Sequence, residues 1–246
     1  MASTSSTAAA PGVPLASEAI DFSIAPIVIN VGASPSQRFY ADEAMIRKSS
    51  KFFDAALNKE WKEGQERIVN LPETQPAAFN VYLNWLTTGK LHVHDQPETA
   101  AGTRQINTKL VEAYVLGDKI LDVDYKDHVC DTLARDSLMP RNAGIWVMGA
   151  GVRRRLYENT VAGAPARRFL VGMLLMCGDI SSFVTEDEPP ALLHDIMSAL
   201  VAGQQAALEQ PAALKQLEEE DVKACKFHDH EPGAENCYRN KRRGIV

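Results

Sequence analysis

Between Arg38 and Leu91 the apolar residues change period, from strand spacing to helical, back to strand and again to helical. A short β segment ends near Tyr40, and a helix follows that carries Ala44, Met45 and Ile46. Ser50 opens a second helix bearing Phe52, Phe53, Ala56 and Leu57, because a serine hydroxyl can accept from the first free N–H groups of a helix. After a polar connector, Glu66 to Leu71 alternates as a strand around Ile68 and Val69. Pro76 then begins a helix whose Phe79, Tyr82, Leu83 and Leu86 lie on one face, proline being harmless where the N–H has no intrahelical acceptor. The expected fold class is α+β, a small β-sheet flanked by helices. Its core is expected to hold Phe39, Ile46, Phe52, Phe53, Leu57, Phe79, Leu83, Leu110, Tyr114 and Val129.

The flanks extend this pattern. Pro26 to Gly32 is a β-branched run closed by a turn, and Ile20, Phe22 and Ile24 alternate ahead of it as a further strand. No second and third glycine follow Gly32 at dinucleotide-binding spacing. Leu91 to His94 reads as a short strand. Gln105 to Asp122 is apolar around most of its circumference and therefore central. Asp124 caps a helix with the stripe Tyr125, Val129, Thr132 and Leu133. Further helices are expected over Ala143 to Glu158, from Pro165, and from Pro189-Pro190, the last with Leu193, Ile196, Met197, Leu200 and Val201 on one side.

The central stretch resembles the BTB/POZ domain in its fungal form. The residues that carry the resemblance are Phe39, Ile46, Ser50, Phe52, Phe53, Leu57, the run Glu60-Trp61-Lys62-Glu63, Leu71-Pro72, Phe79, Tyr82, Trp85, Leu86, Thr88 and Gly89. The chain departs from the pattern at Asp42, where the family carries histidine. Composition, periodicity and the resemblance together divide the chain into a disordered tail over 1–19, a BTB/POZ-like domain over 20–138, an all-helical C-terminal extension over 139–207, and an acidic, Cys/His-bearing tail over 208–246. It implies a non-catalytic protein-protein interaction module, an adaptor or self-association domain, including the role of substrate adaptor for a cullin-type ubiquitin ligase. It also places Met45 and Ile46 at a dimer face, to which Ile20, Phe22 and Ile24 would add an arm exchanged between two copies. The alternative is an arm folded on its own sheet in a monomer.

Composition narrows the functional classes. A formal net charge of -6 argues against broad nucleic-acid binding, which needs a concentrated positive face. Four cysteines spread through a chain this long fit a reducing compartment. The first residues show no signal-peptide pattern and no apolar run approaches membrane-spanning length, so the chain reads as intracellular, cytoplasmic or nuclear, with no membrane partner.

The sharpest chemical cluster is Cys225, His228, His230 and Cys237, bent back by Pro232-Gly233. Thiolate and neutral imidazole are the ligands Zn²⁺ prefers, although the two histidines stand closer than in a standard finger. The other reading is a polar tail that merely contains these residues. His92 and His94 would share an exposed face. The triplets Arg153-Arg154-Arg155 and Lys241-Arg242-Arg243 read as solvated faces, and Asp42 as a helix cap. No nucleophile, base and orienting acid occur in a catalytic pattern; His128 and Cys130 are two apart on a helix and point to different faces. An enzyme is not expected. A rival reading is a transcription or chromatin regulator that uses its C-terminal tail for nucleic-acid or metal binding.

Overall fold

The computed structural model describes residues 23–94, 100–138, 148–176, 180–209 and 224–241. The expectations for Ile20, Phe22, residues 1–19, Trp146, Glu218 to Asp221, Arg242 and Arg243 lie outside them.

The α+β class is observed, as a three-stranded sheet with many helices. Strands β1 (Ile27–Val31) and β2 (Gln37–Ala41) form an antiparallel hairpin, with Ile29 opposite Phe39. Strand β3 (Ile68–Leu71) lies parallel to β1 on its other side, Ile29 beside Val69, giving the order β2-β1-β3. Ile27, Ile29 and Val31 are fully buried, as the middle strand of a covered sheet requires.

Two short helices, α1 (Glu43–Ser49) and α2 (Lys51–Ala56), cross from β2 toward β3. Asp42 caps α1 by accepting from the Met45 N–H at 2.7 Å, the role expected of it. Ser50 caps α2 through Phe53 N and donates its own hydroxyl to the Ile120 carbonyl at 2.5 Å, so one buried serine fixes both the helix start and its distance from the helix ending there. The polar connector contains one more helix, α3 (Lys62–Glu66), which the charge-rich sequence concealed. Gly64 lets it close, since a Cβ there would sit 2.2 Å from the Asn58 carbonyl oxygen. Arg67 ends α3 in the left-handed conformation, φ 57, so β3 starts at Ile68 rather than Glu66.

Helix α4 (Pro76–Thr88) starts at its proline and ends at Gly89 in the left-handed conformation. Its Phe79, Tyr82 and Trp85 are fully buried, and Phe79 packs edge-on against Phe39 at 5.2 Å between ring centroids. Of the expected core, Phe52 and Leu83 are half-buried against it and the others are buried. Two strand expectations fail: Ile24 sits in a bend, 57% exposed, and residues 91–94 are irregular, with Val93 buried between the exposed His92 and His94.

Helices α5 (Ala100–Lys119) and α6 (Val123–Leu138) pack as an antiparallel pair. The cap of α6 is Asp122, not Asp124: its Oδ1 accepts from Tyr125 N, while its Oδ2 accepts from the Ser49 and Tyr82 hydroxyls. Helices α7 (Ala150–Glu158), α8 (Pro165–Met176) and α9 (Pro190–Glu209) follow. The first arginine triplet is not a solvated face. Arg153 is buried against Glu188 and also donates to the Met148 and Phe183 carbonyls, while Arg155 pairs with Glu112 of α5. On α9 the expected apolar side divides: Ile196 is buried and Leu193 half-buried, whereas Met197, Leu200 and Val201 are exposed, and Leu192, outside that expectation, is buried. No helix among the described residues is long and apolar enough to cross a membrane.

Candidate metal centre

The last described segment, 224–241, is a knuckle: a turn over 224–227, a 3-10 turn at Ala234–Asn236, and a short helix α10 (Tyr238–Lys241). Two backbone features fold it back on itself. Cys225 adopts φ 59, a conformation a side chain disfavours, and Gly233 adopts φ 120, which is tolerable because glycine has no Cβ.

The fold brings Cys225, His228, His230 and Cys237 together, one donor atom from each within 4.8 Å of the others, so the cluster could bind a metal. The two sulfurs stand 3.8 Å apart, and Cys237 Sγ is 3.7 Å from His228 Nδ1. A tetrahedral ion with bonds of about 2.3 Å to sulfur and about 2.0 Å to nitrogen sets sulfurs about 3.8 Å apart and sulfur and nitrogen about 3.5 Å apart. Cys225, Cys237 and His228 therefore hold these two pairs near coordinating separations. Both cysteines are free thiols, and burial, then the hydrogen bond to Cys237, pushes the Cys225 thiol up to about 11. A metal would bind the thiolates and displace those protons.

The hydrogen bonds assign the imidazole faces. His228 directs Nε2 to Asp131 Oδ1 at 2.9 Å, leaving Nδ1 for the sulfur side of the cluster. His230 directs Nδ1 to the Glu231 carbonyl at 2.7 Å, and its Nε2 is buried without a hydrogen-bond partner. A buried nitrogen left without a partner carries a desolvation cost that a coordinated cation removes. Asp127 Oδ2 is also buried without a hydrogen bond, 3.9 Å from His228 Nδ1. Burial raises its carboxyl to about 6 against the backbone hydrogen bond from Asp229.

Asp131 is where the knuckle meets the helices. Besides His228, this buried carboxylate accepts from the Tyr238 hydroxyl and from Arg239 Nε at 2.8 Å. Burial alone would raise its pKa; the hydrogen bonds from His228, Arg239 and Tyr238 outweigh burial and hold it below the usual carboxylate range. Around it, Asp229 N donates to Asp127 Oδ1 at 2.7 Å and Lys241 Nζ reaches Asp124 Oδ1 at 2.9 Å. Tyr238 stacks on His128, ring centroids 4.7 Å apart, and His128 in turn accepts from Trp85 Nε1. On the neighbouring helix, Phe227 packs edge-on against Phe169 at 5.5 Å.

The four residues singled out by chemistry in the sequence are thus the four brought together. Asp131, Tyr238 and Arg239 were not foreseen. Their only sequence signal is an acidic spacing on α6, Asp124, Asp127 and Asp131 at i, i+3 and i+7, which any solvated helix could show. Of the residues considered for a dimer face, Ile46 is fully buried in the chain's own core, Met45 is half-buried beside it, and Ile24 is exposed. His92 and His94 take no part in the cluster. Comparison with protein-family models finds no match, and comparison with curated proteins finds none either.

Proposed function

We propose that this chain is a non-catalytic protein-interaction module of the BTB/POZ type, an adaptor or self-association domain, whose C-terminal knuckle is held by one structural Zn²⁺. The interaction reading is supported by the run of family-like residues from Phe39 to Gly89 and by an element order of hairpin, helical pair, the short α3, strand and helix. Exposed Met197, Leu200 and Val201, at i, i+3 and i+4 on α9, supply apolar surface of the kind a protein partner covers. Within this role the chain serves as substrate adaptor to a cullin-type scaffold. The purified chain should retain such a scaffold in a binding assay, and a variant with Trp61 and Tyr40, both exposed, changed to Ala tests whether these rings contribute. Sedimentation equilibrium at about 10–50 µM, where moderate association shows, tests self-association. A monomer that retains no scaffold would refute the reading.

The zinc reading rests on one observation, the convergence of two sulfurs and two imidazoles within 4.8 Å of one another, with a buried His230 nitrogen lacking a hydrogen-bond partner. Two thiolates and two neutral imidazoles balance a divalent charge. Metal analysis of protein prepared without oxidation should find about one zinc per chain, lost when Cys225 and Cys237 are changed to Ser.

A further inference from the structure

Three aspartates of the α6 stripe each meet the knuckle. Asp124 meets Lys241, Asp127 meets the Asp229 backbone N–H, and Asp131 meets His228, Tyr238 and Arg239. Lys126 extends the contact, its ammonium lying between Asp118 and Asp229. A second anchor lies on α8, where Phe227 covers Phe169 and Arg168 reaches the Lys226 carbonyl at 3.3 Å. All four candidate ligands lie on 225–237, yet the carboxylate that orients His228 lies on α6, about a hundred residues earlier: His228 and Asp131 are 97 positions apart.

His228 belongs to both systems. Its Nδ1 faces the sulfurs and its Nε2 faces the Asp131 carboxylate at 2.9 Å. A cation on Nδ1 withdraws electron density and makes Nε2–H a stronger donor, while the carboxylate makes the imidazole a stronger ligand. Linkage makes the two effects equal in size. Resting on the zinc reading above, we propose that α6 is the docking surface for the metal-loaded knuckle, with Asp131 as the positioning residue that couples ion binding to docking, so that the ion works as a clasp between the C-terminal segment and the α6–α8 face. Loss of the ion frees the knuckle and uncovers Asp124, Asp127 and Asp131 together with the rings of His128 and Phe169, a surface suited to a basic segment carrying aromatic residues.

The test uses the full chain and zinc itself. Zinc affinity measured by chelator competition should fall about 10–100-fold in Asp131→Asn, the usual cost of removing an outer-shell carboxylate. It should recover in part in Asp131→Glu. The thiolate charge-transfer band of the Co²⁺-substituted protein should persist in Asp131→Asn, because all four ligands remain; a variant merely misfolded would lose it. Tyr238→Phe, which deletes one hydroxyl from the same carboxylate, should weaken zinc by a smaller factor and serves if the Asp131 variants do not fold. Hydrogen exchange on the wild type should show 224–241 and α6 near Asp131 losing protection together on chelation, with the β1–β3 sheet unchanged. Wild-type protein that binds no zinc would remove the zinc reading and the clasp with it. Zinc bound with equal affinity by wild type, Asp131→Asn and Tyr238→Phe, or protection of α6 indifferent to chelation, would overturn the clasp and leave the metal centre standing.

Discussion

Phe53 shows how far single residues of the core could be read from the chain. It is fully buried between Phe52 and Phe79, its ring 5.2 Å from the first and 6.3 Å from the second, where helical spacing placed it. Phe53→Ala should cost about 3–5 kcal/mol in denaturant unfolding, the usual range for emptying an aromatic site; a change within error would mean the aromatic cluster closes over the gap. Asp122 was read differently, as the end of one helix, because nothing in the sequence shows that the Ser49 and Tyr82 hydroxyls converge on it from 73 and 40 residues away. Burial raises its carboxyl above the ordinary value, and the hydrogen bonds from Ser49, Tyr125 and Tyr82 offset burial only in part. The folded state therefore keeps this proton to higher pH than the unfolded chain does. Its contribution is complete below the unfolded value of about 3.9 and is lost as pH rises through the folded one. Urea unfolding followed from pH 4 to 7 should show the wild type losing stability relative to Asp122→Asn, whose amide still caps α6; parallel curves would refute the assignment.

Elements were most legible where capping chemistry and periodicity agreed. Helices α2, α4 and α8 start where Ser50, Pro76 and Pro165 announce them. Helix α3 was missed because a charged run at short length carries no apolar stripe; what shapes it is local backbone geometry, the close approach of Gly64 to Asn58 and the left-handed turn at Arg67. Helix α9 was found, but its buried edge was not: Leu193, Ile196, Met197, Leu200 and Val201 share one face at helical spacing, yet the core takes Leu192 and Ile196 and leaves Met197, Leu200 and Val201 exposed. Ile196→Ala should accordingly cost about 2–4 kcal/mol, and Met197→Ala should stay within about 0.5 kcal/mol in thermal unfolding of the same protein. Equal losses would place Met197 against a partner or a second copy. The arginines of α7 teach the reverse lesson. Arg153 looked like surface charge, yet it is buried with Glu188, and Arg153→Ala should destabilise by about 3–5 kcal/mol, measured by denaturant unfolding, because an unpaired buried carboxylate is left behind.

Across the molecule, the ligand set of the metal centre was visible because four residues of the right chemistry stand close in sequence; its support was not, because it arrives from α6 and α8. The same division predicts how the whole chain responds to metal removal. Chelation should lower the melting temperature only where 224–241 contribute, with the aromatic core around Phe79 and Tyr82 retained, and calorimetry should show a separate early transition that zinc restores. A single unchanged transition would count against a metal-held segment. The separation along the chain also has a meaning in time. Asp131 and the Arg239 that answers it are 108 residues apart. At about 5–20 residues per second, a ribosome takes about 5–20 s to travel from one to the other. During that interval α6 exists with three aspartates and an aromatic floor uncovered, so every newly made copy passes through the open state before residues 224–241 can close it.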